Sequence, residues 1–316
     1  MTRPASGVPA ACGRKEYVVK AKVAGLLALL VVAAAGCGSA GGEAGTTGSG
    51  KPVDVGAPLP ADVQGKGQLT VGVKCDYPPF GYIGESGEES GFEIEIAHRL
   101  GEYAFGTPGS VKLECVTGAN RVPYLTTKRI DLIIATMNYT PERAKTVDFS
   151  TPYFNSGVKL LVPKDSPITS FADLEGKPVT TTTGSTASIW LTQCVKTAKQ
   201  VAFSQTSEAF SAMRSNRGVA FAQDDTLLAE LASKNADTKV VGDEKAGSPW
   251  GMGVRKGDKA TLTWVNAAIE KMRTEDYFWT AFQKTVTDKG VQQQFQQFVP
   301  RPGNSLEYPT GDIFQC

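Results

Sequence analysis

The sequence predicts an α/β protein of two lobes hinged on two crossing strands. Three observations carry this. From Leu69 to Thr146, short apolar runs alternate with helical patterns: strand, helix, strand, helix, strand, helix. That order predicts a parallel sheet covered on both faces. The alternation restarts at Phe171–Val179 and runs to Ser233. Gly157–Pro163 and Pro249–Val254 are strands placed to cross from one block to the other and back. A chain of 316 residues, 41% hydrophobic and 21% charged, has ample length for two such bodies.

Taken in order, the chain opens with a targeting segment. Lys20 and Lys22 flank an apolar run, Val23–Ala33, too short to span a bilayer as a lasting helix. It ends in Ala34-Ala35-Gly36-Cys37, which looks like a lipoprotein cleavage box with Ala34 where Leu is usual. The residues before Lys20 make this signal unusually long. Gly38 to Gly67 is rich in Gly, Ser, Thr and Pro and reads as a flexible spacer. Structured sequence is expected from Leu69, an alternating strand to Lys74. The Cys75–Phe80 loop follows, stiffened by Pro78 and Pro79, then a polar turn from Gly84 to Gly91.

Phe92–Ala104 reads as a helix with Ile96, Ala97, Leu100, Tyr103 and Ala104 on one face. Val111–Val116 is the second strand, and Asn120–Leu125 opens a helix. Beyond the first crossing, Thr180–Ser188 is a hydroxyl-rich strand-to-helix turn. Glu208–Ser215 is a short helix, Gly218–Ala222 a strand, and Asp224-Asp225-Thr226 caps a helix to Ser233. Lys259–Arg273 is amphipathic, Tyr277–Val286 and Val291–Phe298 are further helices, and a tail begins at Pro300. Ligands of open α/β sheets bind beyond the carboxyl ends of the strands, so a cleft is expected there.

The most informative stretch is Ile130–Phe154, IDLIIATMNYTPERAKTVDFSTPYF. A buried strand runs into the bend Thr136-Met137-Asn138-Tyr139. Thr140 then suits a helix N-cap and Pro141 the first helical position. Arg143 lies in that first turn. Backbone N–H groups, hydroxyls and a guanidinium in one crevice are apparatus for a small anion, most simply a carboxylate.

This stretch resembles the extracytoplasmic solute-binding proteins that feed polar amino acids to ABC importers. The resemblance extends from about Gln68 to about Phe298. It implies the two-lobe, type II periplasmic-binding-protein fold. Signal peptide would occupy 1–36 and linker 37–67. The first lobe would take 68–157 and 249–299, the second 158–248, and the tail 300–316. It implies a diacylglyceryl group on Cys37 and hence an extracytoplasmic protein anchored to the membrane. The partners would be a free amino acid and a membrane permease, with no cofactor and a monomeric protein.

The resemblance also assigns residues. Arg143 would hold the ligand α-carboxylate, with contacts from Thr136 and Asn138. Ser185 and Thr186 would close on the same group from the second lobe, unless Ser185 serves its own helix as an N-cap. Asp224 would take the α-ammonium; a cap role competes, though Asp225 and Thr226 could fill it. Tyr77 or Phe80 would wall the ligand. Lys74 stands where similar binders of basic amino acids carry aspartate, and Arg121 matches an arginine of acidic amino-acid binders. Together they favour glutamate or aspartate, with glutamine or asparagine second. A dehydratase on the same fold and a ligand sensor for a receptor are the alternatives.

Other classes find little support. Net charge is +1, or about −3 once residues 1–36 and their five cations and one anion are removed. No basic run interleaved with aromatics suggests nucleic acid. Ser156-Gly157-Val158-Lys159 fits S-x-x-K, but its companion motifs are missing and it lies on a crossing strand. With His98 alone and no zinc-type cysteine spacing, a structural metal site is not expected. Beyond Cys12 and Cys37, the cysteines are Cys75, Cys115, Cys194 and Cys316, an even number in an oxidising compartment. Three pairings are possible. Cys75 with Cys115 requires neighbouring strands, and Cys194 with Cys316 would then pin the tail.

Overall fold

A computed structural model describes residues 50–316. The signal segment, Cys37 and the first part of the spacer lie outside the described residues. In chain order the elements are α1 (Ala61–Lys66), β1 (Leu69–Val73), β2 (Asp76–Tyr77), β3 (Gly81–Ile83), β4 (Glu89–Ser90), α2 (Phe92–Phe105), β5 (Val111–Cys115), α3 (Arg121–Thr126), β6 (Leu132–Ile134) and α4 (Pro141–Thr146). Then come β7 (Val147–Pro163), β8 (Pro178–Thr182), α5 (Thr186–Cys194), β9 (Lys199–Phe203), α6 (Thr206–Arg214), β10 (Ala220–Asp224), α7 (Asp225–Lys234) and β11 (Thr238–Arg255). The helices α8 (Lys259–Thr274), α9 (Tyr277–Thr285) and α10 (Lys289–Phe295) close the fold.

The described residues form a sheet ordered β5-β1-β6-β11-β7-β10-β8-β9 and a small antiparallel sheet β2-β3-β4. β5, β1 and β6 are parallel, as the strand–helix alternation predicts. So are β10, β8 and β9 in the other half. What joins the halves is the antiparallel pair β7 and β11. One end of that pair docks Gly253 on Ile133 of β6; the other docks Leu161 on Phe221 of β10. Its register shifts between Val241 and Lys245 and again before Ser248, so the ladder is irregular where the chain passes between lobes. Asp225 clamps that passage. Its Oδ1 accepts from the Ser156 hydroxyl at 2.7 Å and the Gly157 amide at 3.2 Å.

Packing follows the apolar pattern. Phe80, Phe92, Phe154 and Trp250 are fully buried in one aromatic cluster, with Phe80 5.1 Å from Phe154 and 4.8 Å from Trp250 between ring centroids. Such edge-to-face pairs add roughly 0.5–1.5 kcal/mol each beyond burial. Phe80 is therefore a core residue rather than a ligand wall. A second core surrounds Leu160, Leu174, Trp190 and Leu191.

Four expectations need correction. The spacer is not flexible to its end. Residues 50–67 lie on the first lobe, with Gly50 N donating to Gly106 O, Val53 N to Tyr103 O, and Val63 buried. Lys66 pairs with buried Asp131 at 2.6 Å, which fixes α1 ahead of β1. The crossing strands begin earlier than expected, at Val147 and Thr238, because each pairs along most of its length. The polar turn carries β4 of a short hairpin. Finally, β9 was not anticipated; its pattern KQVAF is only partly buried at the sheet edge.

Both cysteine pairs form. β1 and β5 are neighbours, which brings Cys75 and Cys115 within 5.5 Å between Cα atoms. Cys194 at the end of α5 bonds Cys316, tying the tail to the second lobe. Ile313 and Phe314 enter that lobe's core, while Tyr308 donates to Ser150 O at 2.6 Å.

Candidate functional site

The site grows from the carboxyl ends of β1, β6, β8 and β10. Beyond β6 the chain turns at Thr136, whose φ of 45° is a left-handed conformation that a β-branched residue rarely adopts. Such strain persists only where the surroundings enforce it. Here Thr136 N donates to Glu93 Oε1 at 2.6 Å, and Thr136 O accepts from Arg121 Nη1 at 3.3 Å. α4 starts as its sequence predicts. Thr140 accepts from Arg143 N at 3.1 Å as N-cap, and Pro141 takes the first position.

Eight of the nine predicted ligand residues line one cavity between the lobes: Lys74, Tyr77, Arg121, Thr136, Asn138, Ser185, Thr186 and Asp224. The ninth, Arg143, stands beside it. Its Nη1 donates to Asn138 O (2.8 Å) and Thr186 Oγ1 (3.2 Å), and its Nη2 to Gly184 O (2.9 Å). The first acceptor is in its own lobe and the other two are in the second. None is anionic. Burial of the guanidinium and repulsion from Arg121 lower its pKa to about 9. Among the described residues no carboxylate pairs with it.

Asp224 ends β10 and occupies the N-cap position of α7, yet its side chain makes no cap hydrogen bond. Oδ2 accepts from the Tyr77 hydroxyl at 3.0 Å, and Oδ1 is buried with no partner. Burial raises its pKa to about 6, opposed by the Tyr77 hydrogen bond and then by Arg143, Arg121 and Lys74. An orphaned buried carboxylate oxygen calls for a donor, and an ammonium supplies several.

Other residues are more committed than expected. The Ser185 hydroxyl accepts from Ser188 N at 3.1 Å, so it caps α5. It lines the cavity, but its acceptor role goes to the helix. Asn138 gives its amide to the crossing strands, donating to Ser156 O (3.3 Å) and Ser248 O (2.9 Å). Its Oδ1 accepts from Thr186 at 2.9 Å. Its side chain holds the hinge and the opposite lobe, which leaves no donor and a single acceptor lone pair for a ligand.

Lys74 is not free. Its Nζ lies 3.1 Å from Asp76 and 5.7 Å from the Tyr77 ring centroid. Burial lowers its pKa and Asp76 opposes that. Arg121 donates to Ala135 O at 2.5 Å, and burial lowers its pKa also. The cavity lining thus holds two cations, one of them already paired with a carboxylate.

Sequence reasoning missed Gly118, Thr182, Thr206 and Gln223, which complete the lining. Thr182 lies in the hydroxyl-rich turn and Gln223 precedes Asp224, so both stood beside residues already singled out. Gly118 and Gly184 meet between the lobes. A Cβ on Gly118 would lie 2.7 Å from Thr183 O, and one on Gly184 2.7 Å from Gly118 O. Only glycines allow that approach.

The model of the family described as bacterial extracellular solute-binding proteins, family 3, matches residues 69–285. The ABC transporter glutamine-binding protein of Bacillus subtilis is 32% identical over 83% of this chain and 94% of its own. A glutamine-binding protein of Geobacillus stearothermophilus is 36% identical over 74% and 91%. Among solved structures, the solute receptor for L-cysteine of Neisseria gonorrhoeae superposes with a TM-score of 0.71 at 35% identity. That match covers 74% of this chain and 95% of the other. The fold is the two-lobe type II arrangement of periplasmic binding proteins.

Proposed function

The chain belongs to the bacterial extracellular solute-binding proteins, family 3, and on that premise we propose that its cleft captures a polar amino acid as a zwitterion for delivery to an ABC permease. The single observation that carries this is the orphaned Asp224 Oδ1 at a cavity whose edge is held by Arg143, a guanidinium with no anionic partner among the described residues. The ammonium goes to Asp224 and the α-carboxylate to Arg143. The carboxylate replaces the neutral acceptors that Arg143 now uses. Closure of the lobes excludes water and strengthens both charged contacts.

For the side chain, the sequence favours glutamate or aspartate, because Lys74 and Arg121 are both cations. The Lys74–Asp76 pair reduces that preference. Three cations line or flank the cleft, Lys74, Arg121 and Arg143, beside three acids, Asp76, Glu93 and Asp224. With all six charged, a zwitterion with a neutral polar side chain keeps the balance. Glutamine is therefore our first ligand, consistent with the glutamine-binding relatives, and glutamate the second. A lipid on Cys37 tethers the protein outside the membrane, and the monomer is the working unit.

Calorimetric titration with each of the twenty amino acids tests the reading. Binding confined to glutamine, glutamate and close analogues supports it. Tight binding of arginine or lysine alone overturns the side-chain assignment.

A further inference from the structure

We propose that Glu93 selects the ligand's side chain, its charge deciding whether the site accepts an amide or a carboxylate. This rests on the reading of the cleft as an amino-acid site. Glu93 opens α2 and is fully buried. Its Oε1 accepts from Thr136 N at 2.6 Å and from the Tyr153 hydroxyl at 2.5 Å. Its Oε2 is buried with no hydrogen-bond partner. A buried carboxylate left half-satisfied is costly and calls for a reason.

Its surroundings supply one. The groups facing Glu93 are Tyr153 from β7, Arg121 from α3, Lys74 at the end of β1, Tyr77 from β2 and the Thr136 amide beyond β6. Arg121 and Lys74 are the two cations at the side-chain end of the cavity. Glu93 also holds the strained Thr136, whose carbonyl accepts from Arg121. It is thus a positioning residue, linked to the ligand through Thr136 and through the field at Arg121 and Lys74.

The charge count gives the direction. With Glu93 ionised, Lys74 and Arg121 are matched by Asp76 and Glu93. A neutral amide preserves that balance, and a ligand carboxylate is surplus. With Glu93 protonated, one positive charge is unmatched, and a ligand carboxylate supplies the counter-charge. Burial raises Glu93 to about 7, opposed by Tyr153 and the Thr136 amide. Glutamate binding above that pH therefore takes one proton from solvent onto Glu93, and glutamine binding does not. Asp224 meets the ammonium common to both ligands and cancels from their ratio. Lys74, lowered by burial, would push the same way on losing its proton, so a variant at Glu93 is needed to separate the two.

The test is calorimetry of the full protein with L-glutamine and L-glutamate between pH 5.5 and 8.5, in buffers of different ionisation enthalpy. The glutamate-to-glutamine Kd ratio should be flat in acid and rise toward ~10-fold per pH unit above about 7, with uptake of ~1 proton for glutamate. Glu93→Gln should abolish that slope and shift the ratio at pH 8 toward glutamate by ~10-fold or more. Tyr153→Phe should move the inflection to higher pH. A flat wild-type ratio, a slope unchanged in Glu93→Gln, or binding of one ligand alone at every pH overturns the proposal. Binding of neither ligand by the wild type overturns the amino-acid reading with it. If Glu93→Gln does not fold, Tyr153→Phe decides, because Tyr153 donates to Glu93 and not to Lys74: an inflection moved to higher pH supports the proposal and an unmoved one overturns it.

Discussion

The Tyr77 hydroxyl in the first lobe donates to Asp224 Oδ2 in the second at 3.0 Å, and the other oxygen of that carboxylate is buried without a partner. One oxygen is thus fixed by the protein, and in the proposed function the other meets the ligand's ammonium. Asp224→Asn should weaken amino-acid binding by ~100-fold or more, since breaking a buried charged pair costs roughly 3–5 kcal/mol. Tyr77→Phe should cost about 1.5–3 kcal/mol, or ~10-fold or more, and less than Asp224→Asn, because it removes one hydrogen bond to a charged group. Titration calorimetry checks both. An equal loss in the two variants would show that Asp224 acts only through Tyr77.

Gly118 and Gly184 approach each other between the lobes with no room for a Cβ on either. Gly118→Val should hold them apart and weaken binding by ~10-fold or more, within the 1–3 kcal/mol typical of overpacking. Scattering with saturating ligand should give a larger radius than the wild type. An unchanged Kd would show that closure does not bring these glycines together.

Three buried carboxylates hold their protons past the usual range: Glu93 to about 7, Asp224 to about 6 and Asp225 to about 7, each mainly through burial. Between their unfolded and folded values the native state binds more protons than the unfolded chain. Their contribution is full below about pH 4 and is lost as pH rises through 6 to 7. Glu275, held to about 2 by Tyr103, Arg99 and Lys271 against the effect of burial, acts oppositely and only in acid. The unliganded protein should therefore melt at a lower temperature at pH 8 than at pH 5. Scanning calorimetry across that range checks the sign, and a rising midpoint would contradict it. Ligand should flatten the slope by supplying an ammonium to Asp224.

The Cys194–Cys316 bond closes a loop with a sequence separation of 122 and seats Ile313 and Phe314 in the second core. Cys316→Ser should lower stability by about 2–5 kcal/mol, the usual range for loss of a native disulfide. Trp190, whose indole N–H reaches Gln315 O at 3.5 Å, should report the release of the tail by its fluorescence.

Much of this was legible in the chain. Thr140 and Pro141 announce the start of α4, and the lobe order follows from the strand–helix alternation. The acid at the end of β10 could be singled out because Asp225 stood ready for other work, and Asp225 in fact clamps Ser156 and Gly157. What was not legible is which polar groups neutralise one another. Lys74 and Asp76 are two residues apart, yet a strand-end bend is needed to bring them together. Ser185 offered both a cap and a contact, and only geometry shows the cap being made. Glu93 left a signal that went unused. It falls at helical spacing with Ile96, Ala97 and Leu100 on the buried face of α2, where an acid needs a partner. Arg143 is expected from type and position, but its turn toward Gly184 and Thr186 depends on how the lobes meet.

The most direct test of the account is calorimetry of wild type and Arg143→Ala with L-glutamine and with its analogue lacking the α-carboxylate. We expect wild type to bind glutamine at least ~100-fold more tightly than the analogue, and Arg143→Ala to lose a similar factor for glutamine and almost nothing further for the analogue. Wild-type affinity for glutamine in Arg143→Ala, or independent and additive losses, would show that the guanidinium does not hold the carboxylate.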